Sequence, residues 1–209
     1  NNAAVFEIGE VTSLVQAVCD AGFDCYAVDL RGAGESTPPG VGPEDVTIDH
    51  HIRFDVPALV DLVKSHSGHG TFFWLGHSLG GVVGLAASMQ FADGALAGLI
   101  TIGSPLYYKL SNESLVGINR ARHLALWGQL GVAPIEAIAP LVGRIAVDVE
   151  TETANLKNIS LATQRLVLAQ SFAPIWLGVL NQLEEWALSN QLTSNDRQIN
   201  YRDAIDRLK

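Results

Sequence analysis

The chain has 209 residues, which favours a single domain because domains average roughly 150 residues. Hydrophobic residues make up 48% of it and charged residues 17%, a composition that excludes an intrinsically disordered chain. The net charge of −9 leaves no basic surface for a phosphate backbone or an anionic membrane. We therefore expect no nucleic-acid partner.

The long apolar stretches and the cysteines exclude further classes of protein. Residues 71–92 and 166–183 are uncharged and long enough to span a bilayer, but polar and helix-breaking residues interrupt both. We expect no integral membrane segment. Two cysteines, Cys19 and Cys25, are too few for a disulfide scaffold, and neither has a partner at zinc-site spacing. We interpret both as structural and expect no metal site.

The first predicted elements are a helix and a strand. An apolar stripe at helical spacing covers residues 11–18, and Gly22 can end that helix with a left-handed cap. Residues 23–30 are rich in aromatic and β-branched side chains and predict a strand. A tight glycine-rich loop follows at 31–36, and we expect Asp29 and Arg31 to order this loop rather than to perform chemistry.

Helices and strands continue to alternate up to residue 105. A second apolar stripe covers residues 52–63, with Pro57 near its start or at a kink. Residues 71–75 are wholly apolar, as in a strand buried on both faces, and a small apolar helix at 80–91 and a strand at 96–102 follow. This alternation predicts an α/β fold with a parallel sheet.

The pattern changes after the last of these strands. Over residues 106–202 strand-like runs disappear, and apolar helical stretches rich in Leu, Ile, Val and Trp replace them. We interpret this segment as a helical cap over the sheet. The expected organisation is a partial α/β core at 1–105, the cap at 106–202, and the start of a return to the core at 203–209.

The most informative pattern is G-x-S-x-G, which here reads Gly76-His77-Ser78-Leu79-Gly80. In this pattern a sharp turn from a buried strand to a helix raises the serine hydroxyl above the sheet, and glycines permit close backbone contact. We expect Ser78 to be a nucleophile, with the Leu79 amide facing the developing oxyanion and Gly76 and Gly80 as the glycines of the turn. His77 adjoins the serine, but we expect it to pack or to hydrogen-bond rather than to act as the base.

Three segments carry a family resemblance: residues 22–36 (GFDCYAVDLRGAGES), 74–81 (WLGHSLGG) and 99–105 (LITIGSP). They resemble the α/β-hydrolase fold, in particular its esterase, lipase and acyl-transfer branches with a helical lid. The resemblance implies an α/β fold with a parallel-sheet core, incomplete here with about three strands, and a large helical cap. It also implies Ser78 as nucleophile and Leu79 as oxyanion amide, with no cofactor.

Two partners of the serine have no matching position. The family orders its catalytic residues as serine, then a carboxylate, then histidine. The carboxylate would follow one of two strands: after the strand at 96–102 the chain reads Gly103-Ser104-Pro105, which contains no carboxylate, and the later position lies beyond Lys209. The histidine would follow both positions, but all the histidines come earlier in the chain, namely His50, His51, His66, His69, His77 and His123. We therefore expect an internal fragment of a larger protein, poorly folded and inactive by itself, because unpaired buried amides cost about 1–3 kcal/mol each.

These observations predict a serine hydrolase that acts on carboxylic esters with apolar groups through an acyl-enzyme on Ser78. The expected partner is a small-molecule ester or lipid-like substrate, and the oligomeric state stays open. Two alternatives remain. An acyltransferase or perhydrolase would pass the same acyl group to an acceptor other than water, and a non-catalytic binding protein would keep the fold without the triad.

Overall fold

The computed structural model describes residues 3–7, 13–34, 36, 39–42, 44–107, 160–170 and 175–208. The helices and strands in these ranges are α1 (Leu14–Asp20), α2 (Ile48–His50), a π-helical turn (His51–Asp55), α3 (Val56–Ser67), β1 (Phe72–His77), α4 (Leu79–Ala87), β2 (Leu96–Ile102), α5 (Leu161–Gln170) and α6 (Leu177–Ser189). Three 3₁₀ segments accompany them, at Ala3–Phe6, Ser88–Gln90 and Tyr201–Arg207. No helix in the described ranges is long and apolar enough to cross a bilayer.

The chain divides into two compact units. The first comprises Asn1–Pro38 and Leu124–Ile175, and the second comprises Pro39–His123 and Trp176–Lys209. The greater part of the expected cap at 106–202 lies outside the described residues. Its covering of the sheet therefore stays a prediction.

In the first unit, α1 ends as the sequence predicts. The Ser13 hydroxyl accepts the Gln16 amide at 3.1 Å and caps the start of the helix. At the other end Gly22 has a φ of +92°, and the Phe23 amide donates back to the Val18 carbonyl at 3.3 Å. This is the Schellman arrangement, in which a left-handed residue satisfies the last carbonyls of a helix.

The strand predicted at residues 23–30 does not form, and the described ranges contain two strands rather than about three. A strand exists only where a neighbouring strand completes its hydrogen-bond ladder, and this segment forms no ladder with any described residue. The tight loop that follows is present, with the Gly32 amide donating to the Ser36 carbonyl at 2.7 Å. Asp29 accepts the Ala3 amide at 2.7 Å, so its contact is a structural one.

In the second unit, a bent helical segment precedes the sheet. Pro57 lies in the first turn of α3 and has no amide to donate to the carbonyl of Arg53. The five residues before α3 adopt π-helical geometry, a common way to relax a helix that has lost a hydrogen bond. Gly68, with a φ of +74°, ends α3.

The sheet consists of β1 and β2 in parallel register, with Gly76 opposite Thr101 and His77 opposite Ile102. Trp74 points towards α4, because a Cβ on Gly84 of that helix would overlap its indole ring. The other face carries Phe73 and Ile100, which are 57% and 48% exposed. The expectation of a strand buried on both faces is therefore wrong for β1 in the described structure, since α4 covers one face only.

Polar contacts tie distant parts of the second unit together. Asp49 is 8% exposed, and its carboxylate accepts the Gln182 amide group at 2.7 Å, the Tyr201 hydroxyl at 2.8 Å and the Asn195 backbone amide at 2.9 Å. Arg202 donates to the carbonyls of Leu106 at 2.7 Å and of Asn190 at 2.6 Å. These bonds join the chain that leaves β2 to the chain that leaves α6.

Candidate active site

Ser78 occupies the single residue between β1 and α4. Its backbone angles are φ 51° and ψ −121°, so a residue other than glycine adopts a positive φ here. Such a conformation costs about 1–3 kcal/mol and persists only where surrounding contacts enforce it. The turn is therefore a strained one, at the carboxyl end of a parallel strand.

Two backbone hydrogen bonds hold this turn. The Ser78 amide donates to the carbonyl of Ile102, the last residue of β2, at 2.8 Å. The Ser78 carbonyl in turn accepts the Gly81 amide at 3.1 Å. The serine is thus fastened to the neighbouring strand on one side and to the first turn of α4 on the other.

Glycine is required beside the serine because backbone meets backbone. A Cβ on Gly76 would overlap the carbonyl of Gly80 and the amide of Gly81, neither of which can move without breaking the turn. At Gly80, by contrast, no described atom other than its chain neighbours and the backbone of its own helix lies within 4 Å of the place a Cβ would take. The second close approach is at Gly81, where a Cβ would overlap the Ser104 side chain and lie 3.0 Å from the Gly76 carbonyl oxygen.

The contact between Gly81 and Ser104 was not apparent from the sequence. Gly81 follows the G-x-S-x-G pattern directly, so its position gave a signal. Ser104 lies in the loop after β2, a separation that no local pattern could bridge. Its hydroxyl is 3.5 Å from the Ile102 carbonyl, the same oxygen that accepts the Ser78 amide.

Leu79 is the first residue of α4, and its amide is one of those with no acceptor inside the helix. The first turn of a helix also carries partial positive charge, which favours an anion nearby. An oxyanion formed on a carbonyl bound beside Ser78 would lie close to these groups. The arrangement therefore suits chemistry in which negative charge develops on an oxygen.

The Ser78 side chain is half-buried, and no residue in the described ranges hydrogen-bonds its hydroxyl. Burial lowers the pKa of the neighbouring His77, so its imidazole is neutral at pH 7. One buried histidine pairs with a carboxylate, His51 with Asp55 at 2.9 Å, but both residues belong to the π-helical turn. In the described part of the chain neither residue of this pair hydrogen-bonds Ser78, and His123 lies outside that part.

The described residues also contain no cluster of three or more His, Cys, Asp or Glu side chains that could hold a metal ion. The chemistry available at the turn is that of a hydroxyl beside a helix start. A half-buried hydroxyl above a sheet edge can attack an electrophilic carbon once a base removes its proton.

Comparison with known proteins identifies a family for this chain. A family model described as alpha/beta hydrolase fold matches residues 4–173, well over half of the chain. The matched range contains β1, Ser78, α4 and β2. No curated protein and no solved structure gives a significant match to this sequence.

Proposed function

Because the chain belongs to the α/β-hydrolase fold family, we propose that the protein is a serine hydrolase that cleaves carboxylic esters through an acyl-enzyme on Ser78. The observation that carries the proposal is the backbone of Ser78, a positive-φ serine between a parallel strand and a helix. Strain of this kind is kept where it presents a reactive group. A glycine-rich turn without chemistry would not need a serine in that conformation, since glycine adopts it at lower cost.

The proposed reaction has two steps. The Ser78 oxygen attacks the ester carbonyl carbon, the bond to the alcohol oxygen breaks, and the acyl group stays on the serine. Water then attacks the acyl-enzyme and releases the carboxylic acid. In both steps negative charge develops on the carbonyl oxygen, and the Leu79 amide at the start of α4 supports that charge.

A base and an orienting carboxylate are also part of the proposal, because a free serine hydroxyl is a poor nucleophile. By the order usual in this family, both follow the serine in the sequence. This chemistry uses no metal and no organic cofactor. The substrate we propose has apolar acyl or alcohol groups, since residues 106–202 are rich in Leu, Ile, Val and Trp.

The experiment compares ester hydrolysis by the full-length protein and by two serine variants. Short and long p-nitrophenyl esters serve as substrates, with Ser78→Ala as the test and Ser65→Ala, an exposed serine of α3, as the matched control. We expect Ser78→Ala to lower kcat/KM about a thousandfold or more and Ser65→Ala to leave it unchanged.

Four results would speak against the proposal as stated. Turnover that persists in Ser78→Ala would remove the serine from the mechanism, and an equal loss in Ser65→Ala would point to damage to the fold. A folded protein that binds esters without turnover would favour a binding function. Transfer of the acyl group to an added alcohol in preference to water would instead identify an acyltransferase, with the Ser78 intermediate retained.

A further inference from the structure

The two cysteines of the first unit lie close to each other in the fold. Cys19 lies on α1 and is exposed, whereas Cys25 lies in the segment that follows the helix and is half-buried. The Cys19 thiol is near enough to raise the pKa of the Cys25 thiol. The sequence contains no other cysteine, so these two thiols could pair only with each other within the chain.

The end of α1 brings them together. Gly22 turns the chain at φ +92°, and the amides of Gly22 and Phe23 donate back to the last carbonyls of the helix. Because the chain then runs back along α1, the Cys25 sulfur lies 3.9 Å from the Val15 carbonyl oxygen. Val15 is one helical turn before Cys19, so the returning sulfur faces the same turn of the helix as the Cys19 side chain.

We propose that Cys19 and Cys25 form a dithiol site that exchanges with small-molecule disulfides such as oxidised glutathione and closes to a reversible intramolecular disulfide. This goes beyond the structural role that composition alone suggests for them. The site lies in the first unit and does not depend on Ser78 or on the proposed hydrolase activity.

The exchange has two balanced steps. The exposed Cys19, as thiolate, attacks one sulfur of oxidised glutathione, whose S–S bond breaks, and one glutathione leaves and takes up a proton. Cys25 then releases its proton to solvent and attacks the Cys19 sulfur, and the second glutathione leaves. Two protein thiols are oxidised and one small disulfide is reduced to two thiols.

The surroundings divide the roles between the two cysteines. Burial, together with the nearby Cys19 thiol, raises the pKa of Cys25 to about 11. Cys25 is thus almost wholly protonated at neutral pH and attacks an external disulfide slowly. Cys19 is the entry thiol because it is exposed, and Cys25 is the resolving thiol because it is half-buried beside the helical turn that carries Cys19.

The test measures disulfide formation in the full-length protein. The protein is equilibrated in buffers of reduced and oxidised glutathione, quenched with acid, and peptide-mapped by mass spectrometry. We expect a Cys19–Cys25 disulfide whose equilibrium constant is at least about tenfold higher in the native protein than in urea, equivalent to about 30 mV. In Cys25→Ser we expect a stable glutathione adduct on Cys19 instead.

A matched control separates native geometry from mere closeness in sequence. The double variant Cys19→Ser/Asp20→Cys moves one thiol to the adjacent exposed position of α1, where Asp20 accepts a hydrogen bond from Gln16. A different face of the helix then carries the thiol, and the tenfold native advantage should disappear. Three results would each overturn the proposal. The first is the same disulfide equilibrium constant in native protein and in urea, and the second is a control variant with the same native advantage as the parent protein. The third is glutathione adducts on both cysteines without a Cys19–Cys25 disulfide.

Discussion

Contacts of neighbouring residues, and not the Ser78 side chain itself, maintain the strained backbone conformation of Ser78. Gly76 lies in direct backbone contact with Gly80 and Gly81, and the Ser78 amide is bonded to Ile102 on the next strand. The local pattern of glycine and serine was enough to predict the strand, the turn and the helix. It could not predict that Gly81 is closed off by Ser104, because that contact depends on where β2 ends.

The two outer glycines of the motif should respond differently to an added methyl group. Gly76→Ala places a Cβ against backbone atoms that cannot give way, so we expect a loss of at least about 3 kcal/mol in the free energy of unfolding. Gly80→Ala places its Cβ in open space and gains helix propensity, so its free energy of unfolding should stay within about 1 kcal/mol.

Urea denaturation of both variants under the same conditions provides the measurement. Similar costs for the two substitutions would show that the turn is not packed as described.

His77 should make stability depend on pH. Burial lowers its pKa from 6.5, so the unfolded chain binds the proton at a higher pH than the folded protein does. The stability of the folded state is therefore full above pH 6.5 and falls as the pH drops towards the lower folded pKa. We expect His77→Gln to lose less free energy of unfolding than the parent protein between about pH 7.5 and about pH 5.5.

The check is urea denaturation of parent and variant at both pH values. An unchanged difference between the two pH values in the variant would contradict the lowered pKa.

At the scale of elements, buried polar bonds fix how the helices of the second unit meet. Asp49 at the start of α2 accepts hydrogen bonds from α6 and from Tyr201. Burial and the hydrogen bond to Asp49 raise the pKa of Tyr201, so its hydroxyl remains a donor at neutral pH. These contacts link residues far apart in the sequence, which explains why periodicity located the helices but not this junction.

Removing the Asp49 carboxylate should destabilise the second unit. In Asp49→Ala the Tyr201 hydroxyl and the Asn195 amide lose their acceptor inside the fold, and each unsatisfied group costs about 1–3 kcal/mol. Asp61→Ala is the matched control, because Asp61 is an exposed carboxylate on α3.

We expect a loss of about 3 kcal/mol for Asp49→Ala and less than about 0.5 kcal/mol for Asp61→Ala, measured by urea denaturation. Equal effects of the two substitutions would refute the buried role of Asp49.

Periodicity located most described elements but not their surroundings. The stripe before Gly22, the Pro57 segment, β1, α4 and β2 all follow from local sequence. The run at 23–30 has the composition of a strand, yet no strand forms, because a ladder needs a neighbour that composition cannot supply. The exposure of Phe73 on β1 could not be predicted for the same reason, since burial of a strand face depends on what packs against it.

At the scale of the whole molecule, a two-stranded parallel sheet and its helices place one strained serine at the end of β1. The family match over residues 4–173 agrees with the α/β class that alternating helices and strands predicted. The substrate and the partners of the serine depend on side chains brought together across the fold. Sequence patterns state which residues are present, and only their arrangement decides which of them react together.

The most direct test of the account is to map the site of covalent labelling by a fluorophosphonate in the full-length protein. The account predicts one adduct, located by peptide mass spectrometry on Ser78, with labelling abolished in Ser78→Ala and retained in Ser65→Ala. An adduct on another residue, or labelling of Ser78→Ala at the parent rate, would contradict the assignment of Ser78 as the nucleophile.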